Sequence, residues 1–258
     1  MNTEPKLLEK EAYNFLAQEK FEEAFRLFER AAGEYKRQGN HHQAAFCYSS
    51  AGSCWSKRSG EKTFTYAAKS YEEAAKEAQK NGDYEYASLL FKYAAINYER
   101  DGEFLDFSES FYHSKESYRR FLTYRLMNPG KIHPIIETKE ERGVKGFVKR
   151  IGKWVLLTFS CLIWGHGERP ARTFFSAILI VCLASVLYTF GVLIKEGMIF
   201  KPDLFEAFYF STVTFTTVGY GDITPIGINK IVAMLEAFSG IFVMPLFVIS
   251  LSRKYLRV

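Results

Sequence analysis

Thr217-Val218-Gly219-Tyr220-Gly221-Asp222 is the stretch from which the rest of the chain is read. Glycine adopts left-handed backbone conformations at the least steric cost. Gly219 and Gly221 stand two apart, so the loop can turn alternate peptides and aim successive carbonyl oxygens along one line. Rings of such oxygens, one loop from each of four chains, can replace the water around a monovalent cation. Val218 and Tyr220 are then free to point outward and pack. Thr217 adds a hydroxyl at one end of the loop, and Asp222 adds a carboxylate at the other, where it attracts cations.

The surroundings fit that use. Upstream, 204–216 is aromatic and almost uncharged, long enough for a short re-entrant helix that Pro202-Asp203 can start. Apolar segments of membrane-spanning length lie on either side, at about 174–194 and 226–251. A glycine-rich loop at membrane depth is tolerated only where protein or a water-filled cavity covers it. Over about 170–251 the chain resembles potassium channels with two transmembrane helices and one pore loop per subunit. The resemblance implies a filter at Thr217, Val218, Gly219, Tyr220 and Gly221. It places K+ at the carbonyls of Thr217 to Tyr220 and at the Thr217 hydroxyl. It also places Tyr209 to bond Asp222, although relatives often carry tryptophan at that position. Four such loops make one filter, so a homotetramer is expected.

The halves of the chain differ in composition. Residues up to about 153 are rich in charge, whereas long uncharged runs dominate 154–251. A water-soluble domain followed by a membrane domain is the simplest account. A formal net charge of +5 over 258 residues, with no basic stripe interleaved with stacking aromatics, gives no sign of nucleic-acid binding. Cys47, Cys54, Cys161 and Cys182 lack metal-type spacing and are read as free thiols. The polar first twenty residues lack an apolar secretory core, and this terminus is expected in the cytoplasm.

Gly39, Gly60, Gly82 and Gly102 recur about every 21 residues, each closing a helix-length segment. Aligned on them, Ala24, Phe28, Ala31 and Tyr35 correspond to Ala44, Tyr48, Ala51 and Trp55. The next two segments give Ala67, Tyr71, Ala74 and Ala78, then Ala87, Phe91, Ala94 and Tyr98. Steps of three and four place these on one helical face. Paired helices give a unit of helical-hairpin size, and the alanines let neighbours approach closely in a short solenoid. The array resembles tetratricopeptide repeats, and more closely the α-SNAP-like kind, at Tyr71-Glu72-Glu73-Ala74-Ala75. Segments 7–16 and 104–126 read as its first and last helices. The aromatic stripe reads as core, and any protein or ligand partner would use the polar concave face. His41-His42 has no companion at metal-ligand spacing.

Asn128-Pro129-Gly130 and His133-Pro134 mark a connector, made basic by Lys139, Arg142, Lys145, Lys149, Arg150 and Lys153. The uncharged run 154–164, with tryptophan at both ends, is too short to cross a bilayer. It is either a helix in the inner interface or a core helix of the soluble domain. Arg169 and Arg172 precede the first span, and Arg253, Lys254 and Arg257 end the second. Both termini are therefore expected inside.

In the second span, Gly240 and Pro245 suggest a hinge, although glycine also serves close helix packing. Glu236, an acid within an apolar span, is expected to stand behind the filter and accept hydrogen bonds from the pore helix or loop. No helix carries the arginine series of a voltage sensor, no nucleotide-binding regulatory domain is expected after Val258, and no catalytic constellation is visible.

The expected architecture is all-α. A cytoplasmic helical-hairpin array (1–126) is followed by a basic connector (127–153), an interfacial helix and turn (154–172), and a pore domain (173–258) with pore helix 204–216 and filter 217–222. The function expected is passive K+ conduction across the plasma (inner) membrane, without enzymatic activity or cofactor, regulated or assembled by the array. The alternatives are a membrane-anchored adaptor whose pore does not conduct and a non-selective cation channel.

Overall fold

The structure, a computed structural model, describes residues 4–57, 63–128 and 144–255. Gly60, most of the connector (Asn128 apart, 129–143) and Arg257 lie outside the described residues. Two compact units divide between Phe159 and Ser160.

In the first unit, α1 (Pro5–Ala17), α2 (Phe21–Arg37), α3 (His41–Ser56), α4 (Thr63–Lys80), α5 (Tyr84–Arg100) and α6 (Phe104–Met127) pack in series, each on the next. The glycines act as helix stops of one form. Gly39, Gly82 and Gly102 have φ of 74°, 81° and 74°. At each, the following amide bonds the carbonyl five residues back, as Asn40 N does to Tyr35 O at 2.9 Å, which is the Schellman arrangement. The first corner has the same bonds with Glu19 (φ 58°) in glycine's place. Asn40 and Asp83 then cap the next helices by accepting from Gln43 N and Tyr86 N, each at 3.2 Å.

Side-chain bonds define two layers. Lys36 reaches Glu73 (3.3 Å) and Gln79 reaches Ser117 (2.8 Å), so α2, α4 and α6 lie side by side. Tyr86 reaches Ser49 (3.0 Å), joining α5 to α3. Alanines fill the space between layers: Ala24, Ala31, Ala44, Ala51, Ala67, Ala74, Ala87 and Ala94 are all fully buried. Gly52 permits the closest approach, because a Cβ there would sit 3.1 Å from the Ala67 carbonyl and the Tyr71 ring. Cys47 and Cys54 are buried and unbridged, and burial pushes their thiols up to about 12 and about 11.

The α7 helix (Val144–Trp164) begins ten residues before the apolar run and so takes in the basic residues from Lys145 to Lys153. Trp154 Nε1 donates to Thr123 Oγ1 of α6 (2.8 Å), while Leu156, Phe159 and Leu162 are more than half exposed.

The second unit contains α8 (Pro170–Thr189), α9 (Leu204–Phe215) and α10 (Asn229–Tyr255), which pack on one another. A small antiparallel sheet joins them: β1 (Leu193–Lys195) lies between β2 (Met198–Phe200) and β3 (Ile223–Pro225). The first span thus ends earlier than the apolar run does, because 193–195 extends into a strand. The hairpin turn Glu196-Gly197 has φ of 53° and 79°, the pair of positive values that a two-residue turn between twisted strands requires.

Glu77 on α4 is the buried acid of the first unit. Its side chain is fully buried against Lys80 (2.8 Å), Lys36 (3.3 Å) and His41 Nδ1 (2.7 Å). Burial alone would raise the carboxyl, but the bonds from Lys80, His41 and Lys36 outweigh it and hold the group below its ordinary value of 4.5. A lowered folded value stabilises the fold at pH above 4.5, and that stability is lost as pH falls through the folded value. Glu77→Gln should therefore lower the thermal midpoint at neutral pH and flatten its decline under acid, both measured by circular dichroism against pH.

Candidate functional site: the 217–222 loop and its supports

Asp203 starts α9 as an N-cap, its Oδ1 accepting from Glu206 N at 2.7 Å. A carboxylate there satisfies a free amide and complements the positive helix end. At the other end the loop folds back onto the helix. Thr217 N bonds Thr214 O (3.0 Å), and Val218 N and Gly219 N share Val213 O (3.1 and 3.4 Å). The first three amides of the loop are therefore tied to the helix end.

The backbone then alternates. Thr217, Gly219 and Gly221 have φ of 59°, 57° and 78°, while φ is not positive at Val218 or Tyr220. At Thr217 this is a costly conformation, since β-branched residues rarely take it. At Gly219 the need is conformational and not spatial, because an added Cβ would meet nothing within 4 Å in the chain. The side chains of Val218 and Tyr220 are 55% and 71% exposed.

Asp222 comes next. Tyr209 Oη donates to its Oδ2 at 2.9 Å, joining the middle of α9 to the far end of the loop. β3 begins at the next residue and pairs with β1, so the sheet anchors that end. Lys195 on β1 also bonds Glu206 of α9 (3.1 Å).

Glu236 of α10 is almost wholly buried. Tyr188 Oη of α8 donates to its Oε2 (2.7 Å), and Ser211 Oγ of α9 is bonded to its Oε1. Ser211 Oγ also lies 2.9 Å from Val181 O of α8. The acid therefore joins α9 to α8, and nothing in the sequence specified the contact with α8. Tyr188 and Ser211 have no solvent exposure, and Tyr188 sits edge-on to Phe210 at 4.8 Å. Asn229, at the start of α10, was likewise missed. It donates to Val192 O (3.1 Å) and occupies the space where a side chain on Gly191 would lie.

One turn beyond Glu236, Gly240 faces the end of α9, where a Cβ would collide with the Phe215 carbonyl oxygen. Close contact is thus the geometry of Gly240. α10 continues through both Gly240 and Pro245, and Pro245 leaves the carbonyl four residues earlier without its helical donor.

Comparisons with known proteins agree with these two units. Residues 175–257 match the family model described as "Ion channel". Residues 3–119 match the one described as "Soluble NSF attachment protein, SNAP". Two-pore potassium channel 4 of Arabidopsis thaliana is 30% identical over 118 residues, which are 45% of this chain and 36% of that protein. The chain thus aligns with little more than a third of that relative's length. No solved structure matches.

The chain joins a helical domain similar to soluble NSF attachment proteins to a domain similar to ion channels. With α8 and α10 each long and apolar enough to cross a bilayer, it is an integral membrane protein.

Gly240→Ala separates contact from hinge. The alanine must push α10 or Phe215 aside, so overpacking should lower the thermal midpoint, at a cost of about 1–3 kcal/mol. Were Gly240 only a flexible point, alanine would instead stabilise the helix by about 1 kcal/mol.

Proposed function

We propose that four copies of this chain form a K+-selective channel in which 217–221 line the conduction path. The observation that carries this reading is the left-handed backbone at every second residue, Thr217, Gly219 and Gly221. That alternation suits a column of carbonyls facing one axis, with the Thr217 hydroxyl completing its inner end. Val218 and Tyr220, exposed in one subunit, find their packing against neighbouring subunits, which favours a closed symmetric ring. Asp222, held by Tyr209, sits at the outer mouth. Conduction is passive, with K+ as the permeant ion and no catalytic group or cofactor.

On this reading the two spans leave both ends of the chain on one side, and the basic flanks at Arg169, Arg172, Arg253 and Lys254 favour the cytoplasmic side, with α7 along the inner face of the plasma membrane and its exposed Leu156, Phe159 and Leu162 in the lipid interface. The helical array takes the part of a docking or regulatory module. Its polar face offers a cavity of about 350 Å³ lined by Lys36, Glu73, Lys76, Glu77, Lys80 and Arg120, among others. A partner bound there can bias the pore only by distinguishing its open from its closed state.

Liposomes carrying the purified protein should take up K+ and not Na+. Gly219→Ala should abolish that uptake, because alanine disfavours the left-handed backbone by about 1–2 kcal/mol per subunit at four positions of one ring. Equal K+ and Na+ uptake, or an unaltered Gly219→Ala variant, would refute the filter assignment. Removal of residues 1–126 should alter open probability and leave ion preference unchanged.

A further inference from the structure

The cluster behind the loop contains more hydrogen bonds than its ordinary hydrogens can fill. Four oxygen–oxygen contacts run through it. Ser185 Oγ to Val181 O is 2.7 Å, Ser211 Oγ to Val181 O is 2.9 Å, Tyr188 Oη to Glu236 Oε2 is 2.7 Å, and Ser211 Oγ also contacts Glu236 Oε1. A hydrogen shared between two acceptors makes longer bonds, so contacts this short each call for a hydrogen of their own. Ser185, Ser211 and Tyr188 supply one apiece, a carbonyl supplies none, and a carboxylate accepts only. Three hydrogens serve four contacts.

We infer that Glu236 carries the fourth hydrogen: it is a neutral carboxylic acid whose Oε1–H donates to Ser211 Oγ. Ser211 in turn donates to Val181 O, and Tyr188 donates to the carbonyl oxygen Oε2. The bonds then run in one direction, Tyr188 to Glu236 to Ser211 to Val181, with every oxygen served. The relay starts and ends on α8 and crosses α10 and α9 between, all within buried protein. A neutral acid also removes the expense of an ion in that setting, which a buried carboxylate without a cation would incur. No cation is bonded to Glu236 among the described residues.

Glu236 is on this account a positioning residue. It sets where α9 sits between the two spans, and α9 carries the loop at 217–222. The inference deepens the channel reading and rests on it only in treating α9 as the pore helix. It also implies that an amide can replace the acid, since a glutamine N–H can donate to Ser211 while its carbonyl accepts from Tyr188.

The test is infrared spectroscopy of the full-length protein in lipid at neutral pH, with conduction assayed in parallel. The wild type should show a protonated-carboxyl C=O band that is absent in Glu236→Gln. In Tyr188→Phe that band should move to higher wavenumber, because Oε2 loses its donor. Glu236→Gln should keep the wild-type thermal midpoint and ion preference, whereas Glu236→Leu, which has neither donor nor acceptor, should lose both. A wild type without a band attributable to Glu236 would overturn the inference, as would a Gln variant as impaired as the Leu variant. The band does not depend on conduction, so a protein that shows it yet takes up K+ and Na+ alike would sink the channel reading and leave the relay standing.

Discussion

A loop with a left-handed residue at every second position cannot be held by helical or strand pairing of its own. Through 217–221 the backbone takes neither helical nor strand pairing, and three of its five residues lie in the left-handed region. Its shape has to be imposed from outside, and much of the membrane unit can be understood as the means of doing so. The α9 carbonyls hold the first amides, Tyr209 holds Asp222, the sheet holds β3, and Ser211 and Glu236 hold α9 itself. The supports come from α9, from the sheet and, behind α9, from α10. The loop can therefore keep a conformation that Thr217 would not adopt alone.

The helical array meets the opposite requirement. Among its described residues the left-handed backbone is confined to the corners, at Gly39, Gly82, Gly102 and, once, Glu19. Its order comes from repetition of one corner and one small-residue contact, so each helix buries its alanine face on the next. Polar pairs such as Gln79–Ser117 and the Lys36, His41 and Lys80 bonds to Glu77 then fix the layers.

Local signals made most of this legible from sequence. The 217–222 motif, the Asp203 cap, the ends of α9 and the glycine stops at 39, 82 and 102 are each specified within a few residues by backbone preference. What was missed depended on distance or on an atypical residue. Glu196 stands where asparagine would advertise a hairpin turn, so the sheet beside the loop was hidden, and Glu19 concealed the first corner in the same way. The apolar run does not mark the start of α7, because the basic residues before it belong to the same helix. A tyrosine or serine in an apolar span gives no sign of which way it faces. Glu236 was conspicuous as an acid, but its partners Tyr188 and Ser211 lie 48 and 25 residues away. Gly240 could serve as hinge or contact in any sequence, and only the Phe215 carbonyl beside it favours contact.

The central claim is that this loop, in a ring of four, recognises K+ by its backbone, and binding tests it without waiting for a gate to open. The measurement is calorimetric titration of the purified assembly with K+ in a background of Na+, paired with its thermal midpoint across the same concentrations. Saturable heat and a midpoint that rises with K+ but not with Na+ is the expected result, since an ion bound only by the native state stabilises it. K+ and Na+ that act alike, in heat and in midpoint, would contradict the claim.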